Sequence, residues 1–86
     1  IGSNPKNIEE GKERASAVII LNDYETKYPL ACIEGAIISK VRTACSAVLA
    51  AEYLNKNGKD IKKIGFVGCG PISTGILQIF RLMEWD

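Results

Sequence analysis

The 86 residues contain no histidine, one tryptophan, one methionine and three prolines. Without imidazole, neither Ser-His-Asp nor Cys-His catalysis is open to the chain. The three cysteines, Cys32, Cys45 and Cys69, form no CxxC pair and lie 13 and 24 residues apart. With no His to join them they suit no zinc spacing, so no metal is expected. Buried thiols in a reducing cytoplasm are the simplest expectation. No apolar run exceeds five residues, as in Ala17–Leu21, far short of the ~18 of a membrane span. No charged segment leads into a longer apolar stretch, so no secretory signal and no membrane association is expected. Neither sign of charge dominates: 11 Lys and Arg face 10 Asp and Glu, for a net charge of +1. The cations are interspersed with acids, which excludes a polybasic nucleic-acid arm. A hydrophobic share of 47% with 24% charged residues excludes a disordered tail and allows one domain at most. The chain opens at Ile1 without Met and stops at Asp86 just after an apolar helical pattern. A piece of a larger protein is therefore expected, its core completed by further segments or a partner chain.

What is present reads as α/β. Residues 1–14 are polar and carry Asn4-Pro5, a turn signal, with a short helical turn through Asn7–Lys12. Residues 15–22 (ASAVIILN) are apolar on both faces and read as a strand covered on both sides. A polar turn, Asp23 to Pro29, leads to a second strand over 30–38, predicting an antiparallel hairpin. Glu34 is expected to face solvent and Gly35 to mark a bulge. A helix is predicted over 39–56, with Ser39 as N-cap and an apolar stripe of Val41, Ala44, Cys45, Val48, Leu49, Ala51 and Leu54. Asn57-Gly58 supplies a left-handed stop. Residues 59–63 form a charged connection, 64–69 (IGFVGC) a short strand, and Pro71 opens a last helix.

Two constellations carry chemistry. Gly68-Cys69-Gly70-Pro71-Ile72-Ser73 stands at a predicted strand-to-helix turn. There the first glycine permits a tight turn and the second lets a pyrophosphate approach the backbone. The free amides and dipole of the next helix would hold the phosphates. Ser73 takes the third fingerprint position, where Gly or Ala is usual. No Gly-Lys-Ser/Thr follows, so a Walker A loop is excluded. The same residues also suit a plain turn that binds nothing. The second constellation is Lys40, Arg42 and Thr43, expected in the first turn of the helix capped by Ser39. Cations oppose the dipole there at a cost of ~0.3–1 kcal/mol each. That placement suggests an anion, with Arg42 clamping a carboxylate through two parallel hydrogen bonds. Simple solvated charge is the other reading.

The run RASAVIILNDYETKYPLACIEGAIISKVRTACSAVLAAEYL, followed by IGFVGCG, resembles the ornithine cyclodeaminase/mu-crystallin family. Arg42-Thr43-Ala44 looks like its RTA motif. The wording RASAVI, LND, YPLACIEG and SAVLAAEYL is most similar to the subgroup of siderophore-pathway dehydrogenases that make 2,3-diaminopropionate. The resemblance implies a two-domain, homodimeric, cytoplasmic oxidoreductase using NAD, with NADP left open, on a small amino-acid substrate. Residues 1–56 would then end a substrate and dimerisation domain and supply a linking helix. Residues 57–86 would open a Rossmann domain. Arg42 would bind the substrate carboxylate near the nicotinamide, and Thr43 a cofactor phosphate. Gly68, Gly70, Pro71, Ile72 and Ser73 would form the dinucleotide turn. Relatives often carry Gln in that stretch, and Thr or Gln where the strand begins near Arg14; neither residue stands here. The family's pocket lysine would precede Ile1, and its catalytic aspartate would lie beyond Asp86. The acid for the ribose hydroxyl, expected ~20 residues past the glycines, also lies outside. The implied reaction removes a hydride from the α-carbon of the glutamate part of an N-linked amino-carboxyethyl glutamate. Water then yields 2,3-diaminopropionate and 2-oxoglutarate. An ornithine cyclodeaminase or ketimine reductase, and a non-enzymatic binding or dimerisation protein of the mu-crystallin type, are the alternatives. The isolated 86 residues are expected to be inactive.

Overall fold

The computed structural model describes residues 1–56 and 59–85. Among them are two two-stranded antiparallel sheets, a 3-10 helix and two α-helices. The chain divides into two compact units, Ile1–Ser39 and Lys40–Asp86. The expected left-handed stop at Asn57-Gly58 lies outside the described residues.

In the first unit, β1 (Gly2–Ser3) pairs with β2 (Ala15–Ser16). The segment between them folds as a 3-10 helix over Pro5–Glu10, slightly ahead of the expected turn. Asn4 caps it by accepting from the Lys6 amide at 3.0 Å, and Gly11 ends it at φ 72°. Strand β3 (Val18–Asn22) pairs with β4 (Pro29–Glu34), which is the predicted hairpin. Its register runs from Val18 opposite Glu34 to Leu21 opposite Ala31, then slips so that Asn22 meets Pro29. The irregularity therefore falls at the turn end and not at Gly35. Proline, which has no N–H to give the ladder, is tolerated at the first position of a strand. The turn is organised by Asp23, whose Oδ1 accepts from the Thr26 amide at 2.7 Å, the Thr26 hydroxyl at 2.8 Å and the Glu25 amide at 3.0 Å. These donors, the Thr26 amide first, hold the Asp23 carboxyl below its ordinary value.

Gly35 ends β4. Its amide donates to Ala17 O at 2.8 Å, and a Cβ there would lie 3.1 Å from Ala17 Cβ and 3.2 Å from Ile19 Cγ1. Glycine is required by close approach, not by a bulge. The predicted second strand therefore stops at Glu34, and residues 36–38 enter a helix.

That helix, α1 (Ala36–Leu54), begins three residues earlier than predicted. The exposed Glu34 carboxylate accepts from the Ala36 amide at 2.6 Å and satisfies one of the free N-terminal donors. Ser39 is thus inside the helix, its amide bonded to Gly35 O, and caps nothing. Of the expected stripe, Ala44 and Val48 are fully buried, whereas Val41, Leu49 and Leu54 are exposed.

In the second unit, residues 64–69 form no strand. A strand is held by ladder bonds to a neighbour, and none is available to this six-residue run. The expected opening βα unit is therefore present only as its turn and helix. Helix α2 (Pro71–Leu82) starts at the predicted proline. It ends in a Schellman arrangement, with the Trp85 amide donating to Phe80 O at 3.2 Å and the Glu84 amide to Arg81 O at 3.3 Å. The Phe80 and Trp85 rings meet edge to face at 4.8 Å, the apolar contact that completes this cap. Glu84 holds the left-handed position, at φ 54°. Lys59 Nζ reaches Met83 O at 3.2 Å and satisfies another terminal carbonyl.

The core is small: Ala17 and Gly35 in the first unit, and Ala44, Val48, Gly75 and Phe80 in the second. Large apolar residues on both faces of the hairpin are exposed, Val18 and Ile20 at 64% each on one face and Leu21 at 53% on the other. The covering layers expected from the sequence are not supplied by the described residues. The three cysteines are likewise free and exposed, against the expectation of burial.

Candidate functional site

The Gly68–Ser73 segment is a loop-to-helix turn. Gly68 stands at φ +96°, a backbone region that a Cβ would strain. Gly70 is the N-cap of α2, with an extended backbone (φ −76°, ψ 179°) and no side-chain cap. Nothing lies within 4 Å of a Cβ built on either glycine, so the backbone is open to an incoming group. The Thr74 amide and hydroxyl both donate to Gly70 O at 3.1 Å, which closes the first helical turn. Pro71 at the first helical position has no N–H to orphan. The amides of Ile72 and Ser73 lie before the intrahelical ladder begins and point out of the helix start. Positive φ at Gly68, open space at both glycines and uncapped amides fit a bound pyrophosphate.

Arg42 and Thr43 are placed differently from expectation. Because α1 starts at Ala36, they are the seventh and eighth helical residues and not part of the first turn. Their own amides lie within the helix ladder, so no free N–H groups flank the Arg42 guanidinium. That guanidinium donates to Ser46 Oγ, one turn along the same helix. Lys40 points elsewhere: it and Arg42 lie roughly 200° apart around the helix. The stem of Lys40 rests on Gly75 of α2, within 3.1–3.3 Å of where a Cβ would stand. Lys40, Ala44 and α2 thus meet on one face of α1, and Arg42 lies on another. The structure brings Gly68, Gly70, Ile72 and Ser73 together by local chain geometry, and it does not bring Arg42 against them.

An open groove of about 220 Å³ borders the later half of α2, lined by Ile61, Ile64, Leu77, Phe80 and Trp85, with Lys62, Lys63 and Arg81. The Trp85 indole N–H is buried there without an acceptor. Sequence reasoning did not find this groove, because nothing in the spacing of KDIKK and the last helix pairs them. Among the described residues no His, Cys, Asp and Glu side chains gather in a group able to hold a metal. No helix there is long and apolar enough to cross a membrane.

Two small antiparallel sheets and two α-helices make this a small α/β chain. The profile of the ornithine cyclodeaminase/mu-crystallin family matches residues 1–84, and the chain belongs to that family. It is 48% identical over 79 residues to N-((2S)-2-amino-2-carboxyethyl)-L-glutamate dehydrogenase of Staphylococcus aureus, covering 91% of this chain and 23% of that protein. It is 34% identical to alanine dehydrogenase of Archaeoglobus fulgidus, covering 94% of this chain and 24% of the relative. It is 33% identical to ornithine cyclodeaminase of Agrobacterium fabrum, with 96% and 23% covered. The chain thus spans about a quarter of the length of these relatives. No solved structure matches it significantly. The matched relatives bear the names of amino-acid dehydrogenases, a reductase and cyclodeaminases.

Proposed function

We propose that this chain is part of an NAD-dependent oxidoreductase acting at the α-carbon of an amino acid, with N-((2S)-2-amino-2-carboxyethyl)-L-glutamate as substrate. The observation that carries this reading is the 48% identity to the Staphylococcus aureus dehydrogenase, against 34% and 33% for the alanine dehydrogenase and the cyclodeaminase. The resemblance implies 2,3-diaminopropionate and 2-oxoglutarate as products, made for siderophore synthesis. Homodimer formation and a cytoplasmic location rest on the resemblance alone.

Bound NAD supplies the hydride acceptor in this reading. The chain's own part is binding and orientation. Gly68 and Gly70 keep the backbone clear of side chains, and the amides of Ile72 and Ser73 would hold the pyrophosphate at the positive end of α2. Pro71 fixes the entry angle. By the family resemblance, Thr43 would contact a cofactor phosphate. By the same resemblance, Arg42 would leave Ser46 and take the substrate α-carboxylate through two parallel hydrogen bonds, which requires it to approach the cofactor turn that this structure does not place it against.

The test is an NAD reduction assay on the full-length protein with the glutamate conjugate, ornithine and alanine offered separately. Turnover confined to the glutamate conjugate, with 2-oxoglutarate released, is the expected result. Turnover of ornithine or alanine with none of the conjugate would move the protein to another branch of the family.

A further inference from the structure

Gly75 lies in the second turn of α2 and is buried. A Cβ on it would meet Lys40 Cε at 3.1 Å, Lys40 Cγ at 3.3 Å and Ala44 Cβ at 3.5 Å. Lys40 and Ala44 are one turn apart on α1, so this glycine is where the two helices touch. The aliphatic stem of Lys40 covers the place that a side chain would occupy, which accounts for a half-buried lysine in an otherwise small-residue contact. The fit is specific to position 75: glycines 65, 68 and 70 of the same unit have nothing within 4 Å of a built Cβ.

We infer that the seating of Lys40 on Gly75 sets the register of α2 against α1, making Gly75 a positioning residue for the cofactor turn; this rests on the reading given under Proposed function. Gly75 stands five residues from Gly70, about 7.5 Å along a rigid helix. A displacement at the seat is therefore carried to the amides of Ile72 and Ser73 at one end of α2. The same seat holds α1, which carries Thr43 three residues after Lys40. A single added methyl can be met by a shift of the flexible lysine stem. A β-branched side chain cannot, and it must push the helices apart. Helix propensity works the other way, since valine is the better helix former. Any loss on substitution therefore comes from packing.

The experiment uses full-length protein as wild type, Gly75→Ala, Gly75→Val, Lys40→Ala and Lys40→Ala/Gly75→Val. NADH affinity is read from cofactor fluorescence, and Tm is measured in parallel. Gly75→Val is expected to weaken NADH binding about tenfold and Gly75→Ala about twofold, as small misplacements of binding groups do. Shortening Lys40 reopens the seat, so the double variant should return to within about twofold of Lys40→Ala, the non-additivity expected of touching residues. Gly75→Val binding as wild type overturns the inference. So does a double variant whose Tm recovers while its NADH affinity does not, because the contact is then only structural. If Gly75→Val does not fold, Gly75→Ala with and without Lys40→Ala gives the same comparison. Wild type that binds no NADH overturns the functional reading, and this inference falls with it.

Discussion

Gly70→Ala separates a ligand-binding role from a folding role. Gly70 has φ −76° and ψ 179°, which alanine adopts without strain, and no atom stands within 4 Å of the added methyl. Two small terms act on stability. Reduced freedom of the unfolded chain favours alanine by about 0.4–1 kcal/mol. Loss of a glycine N-cap, which alanine replaces poorly, costs about 0.5–1 kcal/mol. They nearly cancel, so the folded protein should change by less than about 1 kcal/mol. The methyl does, however, enter the open space before α2, where a pyrophosphate must come within hydrogen-bond reach of the Ile72 and Ser73 amides. A gap opened there weakens at least one charge-assisted hydrogen bond of about 1.5–3 kcal/mol, roughly a tenfold to hundredfold loss of affinity. Calorimetric NADH titration of the full-length variant, beside its thermal melt, gives both numbers. An unchanged melt with unchanged NADH affinity would refute the assignment of this turn to the cofactor. An unchanged melt with at least tenfold weaker binding is the expected outcome.

Other substitutions test the remaining elements. Arg42→Ala should raise KM for the amino-acid substrate and lower turnover, and Arg42→Lys should recover only part, because lysine cannot make the two parallel bonds; unchanged steady-state kinetics remove Arg42 from the site. Gly35→Ala places a methyl 3.1 Å from Ala17 Cβ and 3.3 Å from Ala17 O, and should destabilise the protein by about 1–3 kcal/mol in urea unfolding. The Asp23 carboxyl is held below its ordinary value of 3.8 by the Thr26 and Glu25 donors. The stabilisation it gives the turn is therefore complete above that value and lost as pH falls through the lower, folded one. An NMR titration should place the Asp23 midpoint below 3.8, and Thr26→Ala should raise it.

Local chemistry made much of this chain legible. The β-branched run and the polar Asp23–Pro29 turn announced the hairpin, and Pro71 after Gly70 marked the start of α2. Such signals need only neighbouring residues, because turn backbones and helix starts are set within a few positions. The Gly68–Ser73 motif was visible for the same reason, and the structure adds the φ of +96° that explains the first glycine.

The start of α1 was misread because Ser39 is a better cap by type than Gly35. The tertiary approach of Gly35 to Ala17, with the Glu34 carboxylate over the Ala36 amide, moved the start forward. That shift took Arg42 and Thr43 out of the first turn and removed the free amides expected beside them. The failed strand at 64–69 and the exposed cysteines have one physical origin: ladder bonds and covering layers depend on tertiary neighbours, and residue type alone does not supply them. The seat of Lys40 on Gly75 was likewise invisible in the sequence, since it joins residues 35 positions apart through a contact that exists only once two helices have packed.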